Sequence, residues 1–146
     1  MKYLAYGANM DIETMKQRCP ESEFLGTGIL DDWRLMFKGE MPSSYATIEQ
    51  WQGFSVPFVL WEITQADERK LDRYEGYPRH YKKSVVMIDF CGEKISAMYY
   101  HKPEKLPTNP PILHYLDALA QSYEFHGFDK KILKAAFEFS DFKPWH

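Results

Sequence analysis

Glu75 is the residue of this sequence whose setting could make it a proton-transfer group. It closes a segment in which Thr64 and Asp67 fit a capping-box start, Leu71 and Tyr74 an inward helix face, Gly76 the left-handed position past a helix end, and Pro78 the exit. A carboxylate at a helix C-terminus meets the negative end of the backbone dipole, and Tyr74, Tyr77 and Tyr81 around it in sequence would take away solvent. Both effects raise a carboxyl pKa toward the range useful for proton transfer. A second candidate lies at the start of the chain. Residues 3–6 read as a short buried strand that stops abruptly at Gly7; Asn9 or Asp11 then caps a helix with Ile12, Met15 and Cys19 on its apolar face and Pro20 at its end. A strand that turns through glycine into a helix start presents backbone N–H groups without partners, which is a ready anion site. Taken alone, these residues fit an ordinary helix-end glutamate and an ordinary strand-to-helix turn better than a reactive pair.

Other chemistries find less support. His80, His101, His114, His126 and His146 show no metal-ligand spacing and read as isolated surface residues. There is no G-x-S-x-G, and Ser43-Ser44 lack a recognisable base. Cys19 falls on an apolar helix face, so it reads as a packed thiol; Cys19 and Cys91 together are too few for a zinc site and predict two buried thiols in a reducing compartment. The Gly26 and Gly28 pair lacks the spacing of a dinucleotide loop.

The elements that must position Glu75 and the Tyr6 turn are mixed. Residues 25–30 and 33–37 look like strand segments broken by Asp31-Asp32, and 45–50 and 54–63 like two more joined near Gln52-Gly53, with Pro57 marking an edge or a bulge. Residues 85–90 and 95–101 form a hairpin around Cys91-Gly92-Glu93. After a proline-rich connection over 103–111 come two helices, one carrying Leu116, Leu119 and Tyr123, the other Leu133, Ala136 and Phe137. This order predicts a mixed α/β fold, a small twisted or β-barrel-like sheet flanked by helices, as a single domain over 1–146.

Bulk composition agrees with a globular chain and narrows its partners. The 146 residues are 45% hydrophobic and 16% aromatic, enough for a core and far from a disordered composition. The net charge of −3 and the scattered basic residues, with Lys82-Lys83 and Lys130-Lys131 the densest runs, argue against a nucleic-acid partner. Neither a signal-peptide hydrophobic region nor a stretch of membrane-span length occurs, so the sequence predicts a soluble cytoplasmic protein.

Two segments together resemble a known family. Tyr6-Gly7-Ala8-Asn9-Met10 resembles the Y-G-S-N-[LM] loop of γ-glutamylcyclotransferase-like (AIG2-like) proteins, and Leu71-Asp72-Arg73-Tyr74-Glu75-Gly76-Tyr77-Pro78-Arg79-His80-Tyr81 resembles their L-D-x-Y-E-G-Y-P-x-x-Y segment. Gly28-Ile29-Leu30, Trp33-Arg34-Leu35 and Val59-Leu60-Trp61-Glu62-Ile63 fit the strands between them. The ordered pair, each in the expected structural setting, reverses the bland reading of both candidates. Ala8 replaces the usual Ser, Val56-Pro57-Phe58 stands where many members have a glycine-containing strand, and Lys83 takes a place often held by Arg; all three bear on substrate choice.

The resemblance implies a γ-glutamylcyclotransferase-like fold and a cofactor-independent, metal-free reaction on a small γ-glutamyl compound. The substrate's own α-amine would attack its γ-carbonyl, releasing 5-oxoproline and an amine or amino acid. Glu75 would be the acid/base. Tyr6, Gly7, Ala8, Asn9 and Met10 would hold the γ-glutamyl part, serving either its carboxylate or the developing oxyanion, with Tyr81 as a hydrogen-bonding wall. Glutathione itself is disfavoured, because glutathione-specific relatives carry a different sequence after the first Tyr-Gly. A γ-glutamyl deprotecting enzyme of a biosynthetic pathway, a non-catalytic ligand-binding module with the same pocket and an interaction protein stay open as alternatives, as does the choice between monomer and homodimer.

Overall fold

The structure, a computed structural model, describes residues 1–142; His146 lies outside them. Five strands form one open sheet in the order β2-β3-β1-β5-β4, where β1 is Lys2–Ala5, β2 Glu23–Lys38, β3 Tyr45–Glu62, β4 Lys82–Phe90 and β5 Glu93–His101. Four helices accompany it: α1 Ile12–Arg18, α2 Gln65–Glu75, α3 Leu113–His126 and α4 Lys130–Asp141. This is the mixed α/β architecture expected. The strand β1 sits in the middle, antiparallel to β3 from Lys2↔Glu62 to Ala5↔Val59 and parallel to β5 at Tyr3↔Met98. A central strand is covered on both faces, which is why Tyr3, Leu4 and Ala5 are apolar in succession and all buried.

The chain divides into two compact units. One comprises Met1–Leu30 and Pro57–Pro103, and so holds β1, α1, α2, β4 and β5. Its core includes Leu4, Met10, Met15, Phe58, Leu60 and Leu71. The other comprises Asp31–Val56 and the described residues from Glu104 onward. There the Tyr115 ring meets Phe37 and Tyr45 edge-on, and its hydroxyl accepts from Ala46 N at 3.1 Å, fastening α3 to strand residues.

Four predicted strand segments are in fact two long strands. Asp31-Asp32 does not break β2: Asp32 takes a left-handed φ of 63°, and its Oδ1 accepts from Gly53 N at 3.0 Å, opposite the equally left-handed Gly53 (φ 90°) inside β3. A short acidic side chain tolerates that conformation, so each strand kinks and continues. The hairpin joining β4 and β5 turns on Cys91-Gly92, with φ of 51° and 81°. Two left-handed residues in succession match the twist of the strands they join. Cys91 is therefore exposed, contrary to the expectation of two buried thiols; Cys19 is buried as expected.

The helix carrying Glu75 is built as its sequence predicts at both ends. Thr64 Oγ1 accepts from Asp67 N at 3.0 Å and Asp67 Oδ2 accepts from Thr64 N at 3.1 Å, a complete capping box. Leu71 is fully buried, but Tyr74 is 59% exposed rather than inward. Its ring lies under the Arg18 guanidinium, 4.6 Å from the centroid, so a cation of α1 covers it in place of the core. Gly76 ends α2 at φ 65°, and a Cβ there would stand 2.5 Å from His80 Cδ2. Gly76→Ala is expected to cost about 1–2 kcal/mol from the left-handed backbone alone, read as a lower urea midpoint at unchanged slope.

Candidate functional site

All the groups around Glu75 belong to the first unit. Glu75 is the last residue of α2. Asn9, 2% exposed, sits in a 3-10 turn (Ala8–Met10) directly after β1 and points its amide at it: Nδ2 lies 3.4 Å from Glu75 Oε1. The same nitrogen donates to the Tyr3 hydroxyl at 2.9 Å, and Asn9 Oδ1 accepts from an Arg18 guanidinium nitrogen at 2.8 Å. Its backbone carbonyl accepts from Trp61 Nε1 at 3.0 Å. A buried amide satisfied on every side has one available orientation, so Asn9 fixes the distance between the turn and the carboxyl. Asp11, not Asn9, caps α1, its carboxylate accepting from Thr14 N at 2.9 Å.

Glu75 is only part-exposed, and burial pushes its carboxyl up from 4.5 to about 7, against the pull of Arg18 first and Lys102 second. Lys102 is 6% exposed, its ammonium lies 5.6 Å from the Tyr81 ring centroid, and burial holds its pKa below the usual lysine range, opposed by Glu75. Burial also drives the Tyr3 and Tyr100 hydroxyls far above the ordinary tyrosine range, so both stay neutral. Tyr100 donates to Asp72 Oδ1 at 2.6 Å, and Lys83 bridges that carboxylate (3.0 Å) and Glu68 (2.8 Å). Lys83 thus ties β4 to α2, and as a single ammonium it does so without the fork an arginine would bring.

The other sequence candidates have these surroundings. Tyr6 is buried and donates to Tyr100 O at 2.6 Å, which makes it a strut between β1 and β5. Met10 is fully buried, and its amide is occupied by Gly7 O at 3.0 Å. Asp11 N donates to Ala8 O at 3.3 Å, leaving Gly7, Ala8 and Asn9 to present the opening amides of the turn. Tyr81 reaches the group through Lys102. Sequence reasoning did not find Arg18, Lys102, Tyr3 or Tyr100. Tyr3 alone had a signal, as a tyrosine in the strand that leads into the turn.

Among the described residues no three His, Cys, Asp or Glu side chains come together to hold a metal ion, and no helix is long and apolar enough to cross a membrane.

A family profile described as "Gamma-glutamyl cyclotransferase, AIG2-like" matches residues 3–118. Among solved structures, one described as "Gamma-glutamyl cyclotransferase" is similar over 93% of this chain and 85% of its own, with 23% identity and a TM-score of 0.82. Uncharacterized protein loc79017 from Homo sapiens is similar over 92% of this chain and 85% of its own, with 24% identity and a TM-score of 0.81. YkqA from Bacillus subtilis covers 96% of this chain at 18% identity and a TM-score of 0.78, and the chain spans 54% of that protein. At these identities the likeness is one of fold. No curated protein sequence matches the chain.

Proposed function

The chain belongs to the gamma-glutamyl cyclotransferase, AIG2-like family, and we propose that it releases 5-oxoproline and a free amine or amino acid from a small γ-glutamyl compound, with Glu75 as acid and base. The observation that carries this reading is the approach of Asn9 Nδ2 to Glu75 Oε1, 3.4 Å, which joins a part-dry carboxyl to a side chain of the turn after β1.

The reaction is an internal acyl transfer. Glu75 as carboxylate takes a proton from the substrate's α-ammonium, and the freed amine attacks the γ-carbonyl carbon. The new C–N bond closes a five-membered ring; the carbonyl electrons shift to oxygen and return as the original amide C–N bond breaks. Glu75 then passes its proton to the departing nitrogen, and the extra proton left on the ring nitrogen follows to the freed amine, which leaves as an ammonium. Because nucleophile and electrophile belong to one molecule, the protein's task is to fold the chain back; well-oriented internal reactions reach effective molarities of about 10⁵–10⁸ M. The amides of Gly7, Ala8 and Asn9 are the donors for the γ-glutamyl carboxylate or the oxyanion. A carboxyl near neutrality suits both proton steps, since it gains and loses its proton with little penalty at working pH.

Incubation with a panel of γ-glutamyl compounds, with chromatographic detection of 5-oxoproline, tests the reading; no release from any of them would remove it. The base form of Glu75 is needed first, so kcat/KM should rise as pH climbs through about 7. Arg18 lowers the Glu75 pKa, so Arg18→Gln should move that rising limb to higher pH, a direction read directly from pH–rate profiles.

A further inference from the structure

We propose that the groove between α1 and α2 is the leaving-group subsite, and that it selects γ-glutamyl compounds whose leaving amine carries two carboxylates, as glutamate and aspartate do. This rests on the cyclotransferase reading of Glu75 and names the substrate class for that site.

The groove is a cavity of about 490 Å³ lined by Gln17, Arg18, Pro20, Lys70, Arg73 and Tyr74. Three of these six are cations and none is an acid. Among the described residues, none of the three forms an ion pair, whereas Lys2, Lys38 and Lys83 are each held by carboxylates. Arg18 feels only the field of Glu75, and Lys70 and Arg73 pair with no carboxylate among the described residues, so the concavity carries a positive potential that favours an anion, in a chain of net charge −3.

The groove also adjoins the reacting centre. Arg18 donates one N–H to Asn9 Oδ1 at 2.8 Å and is held over the Tyr74 ring at 4.6 Å. That contact uses one of five guanidinium donors, and the planar fork suits a carboxylate. Asn9 in turn lies 3.4 Å from Glu75. A leaving nitrogen that takes its proton from Glu75 therefore departs beside Arg18, which is placed for the carboxylate next to that nitrogen. Lys70 and Arg73, one turn apart on α2, stand further along for a second carboxylate. A leaving amine with a neutral side chain offers a carboxylate to Arg18 and none to Lys70 and Arg73.

The decisive comparison is γ-glutamyl-glutamate against γ-glutamyl-glutamine, which match in size and differ by one charge. At low salt the wild-type protein should favour the glutamate compound by roughly five- to tenfold in kcat/KM, from two part-exposed charge contacts, and the preference should shrink in high salt. In the Lys70→Gln/Arg73→Gln double variant it should fall to within about twofold through a higher KM, with turnover of γ-glutamyl-methylamide unchanged. Equal use of the two compounds by the wild type, or a preference that survives in the double variant, overturns the proposal. If no γ-glutamyl compound is turned over, NMR titration with free L-glutamate and L-glutamine decides the groove separately. Selective glutamate shifts at residues 17–20 and 70–74, lost in the double variant, uphold the subsite while the cyclotransferase reading falls; their absence removes the subsite as well.

Discussion

Glu75→Gln is expected to reduce 5-oxoproline release by roughly 10²–10⁴-fold, the usual worth of a positioned acid/base, in a protein that stays folded. Glutamine keeps the shape and can still accept from Asn9, so the groups that orient the carboxyl stay in place while proton exchange is lost. Activity within about threefold of the wild type would remove Glu75 from the mechanism. Stability supplies an independent check. The folded carboxyl titrates near 7 against 4.5 when unperturbed, so the folded state binds the proton more tightly than the unfolded one. The stabilisation it contributes is complete below pH 4.5 and is lost as pH rises through about 7. Gln has no such loss. Thermal midpoints of the two proteins should converge in acid, separate as pH rises from about 4.5 to about 7, and stay apart above that. The variant becomes the more stable by a few kcal/mol at most, since a tenfold difference in proton affinity corresponds to about 1.4 kcal/mol.

Asn9→Ala should cost about 2–4 kcal/mol of folding stability, because it orphans one buried and two part-buried partners at once: the Tyr3 hydroxyl loses a donor, Arg18 an acceptor, and Glu75 its nearest amide. A buried polar group left without its partner costs about 1–3 kcal/mol. A denaturant midpoint that moves by less than about 1 kcal/mol equivalent would mean that water replaces the amide cheaply. Tyr3→Phe removes one of these contacts without a cavity, and its smaller loss, about 1 kcal/mol, separates the hydroxyl's share from that of the other two.

What the sequence could reveal was local. Thr64, Asp67 and Gly76 announce the two ends of α2 because caps are decided by residues a few positions apart, and the stretch around Cys91-Gly92 announces a hairpin for the same reason. The choice between Asn9 and Asp11 as cap of α1 was not local: both fit the turn, and Asp11 caps while the burial of Asn9 commits it to Glu75 and Arg18. The continuity of β2 and β3 depends on Asp32 meeting Gly53 across the sheet. Tyr74 lies on the inward side by helical spacing, but Arg18 receives it from another helix. The polar partners of Glu75 come from the turn after β1, from α1 and from the end of β5, and no spacing along one segment encodes such a meeting.

The two ends of α2 also make that helix a measuring rod. Its 11 residues, at about 1.5 Å each, carry the chain about 16 Å from the Thr64 cap to the carboxyl. One added or missing residue between those caps would swing Glu75 by about 100° around the axis, away from Asn9 with every motif letter intact. In this architecture the count of residues between Thr64 and Gly76 is as much a part of the reactive centre as the acid itself.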